Sequence, residues 1–292
     1  MKKKALKTDI GFSLLYLFPS FMLLMIFSVI PIVMNIILSF TSYNVMQPPK
    51  FVGLENYVRM LHDPYIGASF KNTILFTAII VPLQTVISLL FAAFIASYCR
   101  KLYGNILRSV LFIPVIASTA LVGTLWSLLL SSYGPVNELL KFVGLPAVNW
   151  FGGKVSSIIS VSAVSIWKNI GYFLVIFYAG ILDIPASLYD AAYVDGANRG
   201  QPFFHVTLPG LSKITYLVIT LGTIWAFQIF DMVYTMTGGG PGLSTVTLVL
   251  TIYNTAFKEY NMGYAGAIAL LMFAVVLIVQ AIQKRVLSGG RD

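Results

Sequence analysis

Six long apolar runs, separated by short polar stretches, decide what this chain can fold into. They cover about residues 12–40, 72–97, 106–130, 155–182, 214–236 and 265–282. A helix that crosses a bilayer needs about 20 mostly apolar residues. The chain is 58% hydrophobic and only 10% charged over 292 residues. That leaves too few polar side chains to cover a soluble globule, so the apolar excess faces lipid. The expectation is an all-α integral membrane protein with six transmembrane helices. Pro19 and Pro31 are expected to break the first run, and Pro82 and Pro114 lie inside the second and third. Spanning helices tolerate proline because neighbouring groups satisfy the freed carbonyls. The first run follows Lys2, Lys3, Lys4 and Lys7, but it is far longer than a leader's apolar region and no small-residue cleavage site closes it. It reads as a retained span.

Orientation follows from the basic residues. With the N-terminus inside, the inner segments hold Lys2, Lys3, Lys4, Lys7, Arg100, Lys101, Arg108, Arg199, Lys213, Lys284, Arg285 and Arg291. The outer loops hold Lys50, Arg59, Lys71, Lys141, Lys154 and Lys258. The bias favours both termini inside (N-in/C-in). The net charge of +9 thus reads as topology, with the lipid bilayer as the partner and no nucleic acid. Cys99 is the only cysteine, which excludes an intramolecular disulfide.

The chemistry of an enzyme is missing. His62 and His205 fall on opposite sides of the expected membrane, and HExxH, CxxC and GxSxG are absent. No catalytic residue and no metal site is expected. The stretch Gly238-Gly239-Gly240-Pro241-Gly242-Leu243-Ser244-Thr245 looks like a phosphate loop, but Leu243 stands in the lysine position and Thr237 in that of the first glycine. It is expected to be a flexible outer turn. Any ATP and Mg would belong to another chain.

The largest expected inner loop, residues 183–213, carries the most specific pattern. Pro185 and Ser187 can open a short helix, Gly196 suits a helix end at positive φ, and a second short helix can run to Pro209. By physics alone this is a hairpin at the membrane face. Its residues Asp190, Ala191, Ala192, Asp195, Gly196, Ala197, Phe203, Leu208 and Pro209 resemble the EAA motif of permease subunits of bacterial binding-protein-dependent ABC importers. Asp190 stands where the family has glutamate, and Val206 where it has isoleucine. Phe51-Val52-Gly53-Leu54-Glu55-Asn56-Tyr57, Trp167-Lys168-Asn169-Ile170-Gly171 and Thr237-Gly238-Gly239-Gly240-Pro241 are similar to the MalF/UgpA-like carbohydrate-uptake branch.

The resemblance implies a type I ABC importer permease fold in the bacterial cytoplasmic membrane. It implies an N-terminal tail, first helix and outer loop over 1–71, a permease core over 72–283 and an inner tail over 284–292. It further implies a second homologous permease subunit, two copies of an ABC ATPase subunit docked on the hairpin, and an extracytoplasmic solute-binding protein that delivers a sugar. No cofactor is expected on this chain itself. The binding protein is expected to dock at Gly238, Gly239, Gly240 and Pro241. Asp190 is the expected charged contact to the ATPase. Asp195 either shares that role or caps the second short helix.

Inside the expected spans, Lys168, Asn169, Trp225, Gln228 and Asp231 are candidates for the translocation path, because buried charge faces protein or water rather than lipid. The alternative for each is a polar contact between helices. Lys168 and Asp231 could pair. Trp167, Tyr172, Phe227 and Tyr234 add aromatic faces on the same two runs, which sugars favour. Arginine in the path would suit a phosphate solute such as glycerol phosphate. An autonomous secondary transporter would call for paired intramembrane carboxylates and a repeat architecture.

Overall fold

A computed structural model describes residues 16–99, 101–198 and 200–287. The basic cluster Lys2–Lys7, the start of the first expected span, Arg100, Arg199 and Arg291 lie outside them. The helices are α1 (Tyr16–Ser39), α2 (Glu55–His62), α3 (Pro64–Tyr98), α4 (Lys101–Ile116), α5 (Thr119–Leu129), α6 (Pro135–Phe142) and α7 (Lys154–Leu182). They continue with α8 (Ala186–Val194), α9 (Phe203–Gly210), α10 (Ser212–Phe227), α11 (Asp231–Met236), α12 (Leu248–Tyr253) and α13 (Met262–Leu287). Two short strands, β1 (Thr41–Ser42) and β2 (Lys50–Phe51), pair antiparallel with Thr41 opposite Phe51. The chain divides into two compact units, Met1–His62 with Ile252–Leu271, and Asp63–Thr251 with Met272–Asp292.

In the first unit α1 is not broken at its prolines. Pro31 brings no N–H to the helix, and the turn ahead of it, Met25–Val29, widens into π geometry instead. Gly53, at φ +61, turns the chain into α2. From there Asn56 donates to the carbonyls of Ser39 at 2.8 Å and Thr41 at 3.0 Å, and the Tyr57 hydroxyl meets that of Ser39 at 2.7 Å. The Phe51–Tyr57 stretch therefore has a structural purpose: it ties the end of α1 to the hairpin. Asn35 donates to the carbonyl of Gly266, and the Arg59 guanidinium lies 4.2 Å over the Tyr264 ring.

In the second unit α7 is the axis. α3 runs along it, α4 packs beside it, and α10 lies against α3. Lipid gives no hydrophobic drive between helices, so close approach depends on small residues. Gly171 supplies one: a Cβ there would collide with the carbonyl of Leu111 on α4. Gly180 supplies another, receiving Ile214 and Leu211. Ser88 on α3 donates to the carbonyl of Ile170 at 3.1 Å. One core gathers on Phe76, Val161, Val164 and Val233, a second on Ala92, Phe173, Phe177 and Val218. The later part of α13 is tied to α10 by Gln280 to the Thr220 carbonyl and Gln283 to the Thr223 hydroxyl.

Four helices, α1, α3, α7 and α13, are each long and apolar enough to cross a membrane. Among the described residues the count reaches six if the bent pairs α4–α5 (95°) and α9–α10 (60°) are each one span. Two expected spans therefore differ from continuous rods. The third bends sharply after Ile116. The fifth ends at Phe227, and residues 228–230 leave the helix before α11 resumes. The second break persists because Thr247 donates its hydroxyl to the freed carbonyl of Ile229 at 3.0 Å.

Candidate functional site

A cavity of about 240 Å³ opens beside the break between α10 and α11. Lys168, Asn169, Trp225, Gln228 and Asp231 all line it. Lys168 and Asn169 come from the middle of α7, Trp225 from the last turn of α10, Gln228 from the unwound residues and Asp231 from the start of α11. Lys168 is 8% exposed and its ammonium donates to the carbonyl of Val115 at 3.3 Å. Val115 lies in the last turn of α4, where the bend leaves carbonyls without helical donors. Lys168 and Asp231 form no ion pair within 4.0 Å; the lysine serves the backbone, and the carboxylate stands exposed in the same cavity.

Gln84, with Thr119 and Ser165, lines the cavity although sequence reasoning misses it. It is 1% exposed, and its carbonyl oxygen has no partner among the described residues. Gly222 makes room for it, since a Cβ at that position would strike the Gln84 amide. A lone amide within an apolar run is the signal that would have found it. Of the five aromatic candidates, Trp225 lines the cavity. It is braced by Tyr172 at 4.8 Å and Phe173 at 5.3 Å between ring centres. Phe227 is buried in packing, and Trp167 stacks edge-on against Trp126.

At the end of α7 the chain forms a hairpin of α8 and α9. The end of α8 is a Schellman closure: Gly196 N–H donates to the Tyr193 carbonyl at 3.1 Å and Ala197 N–H to that of Ala192 at 2.9 Å. This needs a left-handed residue, and Gly196 has φ +84. Tyr189 and Thr207 join the two helices through their hydroxyls at 3.0 Å. Leu211, fully buried, and half-buried Phe203 anchor the hairpin on the second core. Asp190, Ala191, Asp195, Leu208 and Pro209 are exposed, while Ala192 and Ala197 are half-buried.

Asp195 does not cap the second helix. Asn198 does, accepting from the N–H of Gln201 at 3.2 Å, while the Gln201 side chain accepts from the N–H of Asn198 at 2.7 Å. This reciprocal Asn-x-x-Gln pair is a capping box, and it leaves the Asp195 carboxylate facing solvent.

The glycine-rich segment is not a loose turn. Gly238, Gly239 and Gly242 are left-handed at φ +60, +97 and +59. Thr237 and Thr245 join hydroxyls at 2.8 Å, and Thr245 donates to the carbonyl of Gly240 at 2.9 Å. From α3, Asn72 donates to the carbonyls of Leu243 at 2.7 Å and Val246 at 3.0 Å, and Thr73 accepts from the N–H of Leu248 at 3.0 Å. Gly239 is buried, and Gly238 and Pro241 stay exposed.

Residues 77–289 match the family model of the binding-protein-dependent transport system inner membrane component. The chain belongs to this family. The permease is 34% identical over 285 residues to the sulfoquinovosyl glycerol transport system permease protein SmoG of Agrobacterium fabrum, covering 94% of this chain and 90% of that one. It is 32% identical over 297 residues to the trehalose/maltose transport system permease protein MalF of Thermococcus litoralis, covering 100% and 98%. Its fold matches a chain in the crystal structure of a bacterial alginate ABC transporter in complex with an alginate pentasaccharide-bound periplasmic protein. That match has a TM-score of 0.86 at 20% identity and covers 99% of each chain. The permease is thus a multi-pass membrane component of an ABC importer.

Proposed function

We propose that this permease forms, with a second permease subunit, the membrane path of an ATP-driven importer for a sugar or oligosaccharide. The observation that carries the reading is the course of α7. One helix holds Lys168 and Asn169 in the cavity and leads, 14 residues later at Leu182, into the exposed hairpin. At 1.5 Å per residue that spans about 21 Å. A rigid rod of this kind can pass a movement at the hairpin to the cavity, which is the physical content of alternating access.

Several features support a partner on the hairpin. Leu188, Tyr193, Val194 and Phe204 are at least half exposed there, beside the carboxylates of Asp190 and Asp195. Apolar surface rimmed by charge is typical of a protein contact. In this reading two ATPase subunits, which hold the ATP and Mg, grip the hairpins of the two permeases from the cytoplasm. The termini lie on that same side, and six spans cross the cytoplasmic membrane of a bacterium. A solute-binding protein delivers the sugar at the opposite face, where Gly238 to Pro241 contribute to docking.

The cavity favours a carbohydrate. It combines one aromatic face, Trp225, with the hydrogen-bonding groups of Asn169, Gln228, Lys168 and Asp231, the mixture that recognises hydroxyl-rich rings. The solutes for which the relatives are named, trehalose or maltose and sulfoquinovosyl glycerol, point the same way. The decisive experiment reconstitutes the assembled complex in proteoliposomes and follows sugar uptake and ATP hydrolysis. Uptake that needs ATP and a loaded binding protein is expected. Uptake by this chain alone, driven by an ion gradient, would refute the reading.

A further inference from the structure

At the opposite end of α7 from the hairpin lies a second, open recess of about 400 Å³, unrelated to the central cavity. Lys71 from α3 and Lys154, the first residue of α7, line it. Both lysines are exposed, and neither has a carboxylate within 4.0 Å among the described residues. Pro241, Leu243 and Ser244 form the other wall. That wall is held in place by Asn72, itself 2% exposed, which binds the Leu243 carbonyl. Ser244 is 8% exposed, and its hydroxyl is buried with no hydrogen-bond partner among the described residues.

These features select an anion. Two lysines line a recess beside an unpartnered hydroxyl, at the N-terminal end of a 29-residue helix, where the peptide dipoles add positive potential. No acidic side chain lines the recess. A planar carboxylate on a short arm can accept from both lysines and from a hydroxyl, and such charge-assisted bonds exceed neutral ones about two-fold.

We infer that this recess receives an acidic side chain of the solute-binding protein, with Lys71, Lys154 and Ser244 as its partners. The inference rests on the importer reading above and adds the docking chemistry to it. The braced Pro241–Ser244 wall gives the docking site a fixed shape, and charge complementarity sets the class of partner. Electrostatic contacts of this kind mainly accelerate encounter and weaken as salt rises.

The test uses the assembled complex in nanodiscs of zwitterionic lipid and a solute-binding protein already found to stimulate the wild-type ATPase. In Lys71→Glu/Lys154→Glu the concentration of binding protein giving half-stimulation should rise about ten-fold or more, with basal ATPase unchanged. Lys71→Gln/Lys154→Gln should flatten the salt dependence of that concentration. Ser244→Ala should raise it a few-fold. Reversing one acidic residue on the binding protein to lysine should restore the double-glutamate variant. If the variants match wild type, the docking inference is wrong and the importer reading stands. A defect that appears only in anionic lipid, or in basal ATPase without binding protein, would make the recess a lipid headgroup site and overturn it. If the preceding search for such a binding protein finds none that stimulates the wild-type complex, the importer reading itself fails.

Discussion

The ammonium of Lys168 donates to the carbonyl of Val115, 53 residues earlier in the chain and 3.3 Å away. The contact joins the middle of α7 to the end of α4, at the point where α4 and α5 bend by 95°. A cation at a helix C-terminus compensates the exposed carbonyls and the dipole. Lys168 therefore stabilises the bend and also borders the cavity.

Lys168→Met keeps the side-chain length and removes the donor. A buried carbonyl left without a partner costs about 1–3 kcal/mol. The purified complex should melt several degrees lower, and sugar uptake should fall by more than basal ATPase does. Lys168→Arg should recover most of the melting temperature. A Lys168→Met complex with wild-type melting and uptake would show that the contact carries neither role.

At position 196 the expected order is Gly, then Asn, then Ala, then Val. A built Cβ at Gly196 meets nothing within 4 Å, so the penalty is purely conformational. Left-handed backbone costs an ordinary residue about 1–2 kcal/mol, and asparagine less. Co-purification of the ATPase and ATP-dependent uptake should decline in that order while membrane insertion is unaffected. Equal coupling for Asn and Val would remove the helix-closure argument.

Asn198→Ala should cost the hairpin about 0.5–2 kcal/mol by removing a cap. Hydrogen exchange should quicken at the amides of Gly200 and Gln201, which donate to the Asn198 side chain. Asn198→Asp should retain much of the protection because it still accepts. Unchanged exchange in the alanine variant would sink the capping assignment.

Asn72→Asp should be more damaging than Asn72→Ala. The amide donates twice, to Leu243 and Val246; a carboxylate in its place would put negative charge against two carbonyl oxygens. Two lost bonds cost about 1–3 kcal/mol together. Limited proteolysis should then cut within residues 238–246, faster for Asp than for Ala. A loop equally resistant in all three forms would mean that the brace is redundant.

Orientation can be tested with Cys99 replaced by alanine and single cysteines placed at Val194 and Gly242, both exposed. An impermeant thiol reagent applied to intact cells should label Gly242→Cys and spare Val194→Cys. Labelling of both, or of Val194→Cys alone, would overturn the assigned sidedness.

Length and periodic punctuation explain what the sequence reveals. Long apolar runs announce spanning helices because a helix satisfies all its backbone groups within one segment in lipid. Gly196, between two helix-compatible stretches, announces a left-handed closure. The bends are invisible for the same reason: residues 106–130 and 214–236 have the composition of straight spans, and Pro114 does not distinguish a kink from a 95° turn. The break at 228–230 depends on Thr247, a remote hydroxyl whose partner only the fold identifies. Lys168, Asn169, Trp225, Gln228 and Asp231 stand out as polar or aromatic residues in apolar surroundings, and they do meet in one cavity. Their arrangement there, with Lys168 bonded to Val115 rather than paired with Asp231, follows from the bend. Asn198-x-x-Gln201 carries a readable capping pattern that the neighbouring Asp195 obscures.

The open space around Gly196 has a stereochemical consequence. Its backbone sits at φ +84, and a Cβ added there would meet nothing within 4 Å, so the position selects for handedness rather than for the size of that atom. A D-amino acid is the mirror case, for which positive φ is relaxed. D-alanine introduced there by semisynthesis should close the helix as well as glycine does, and because it also narrows the unfolded ensemble, it should hold the hairpin more firmly than the natural residue.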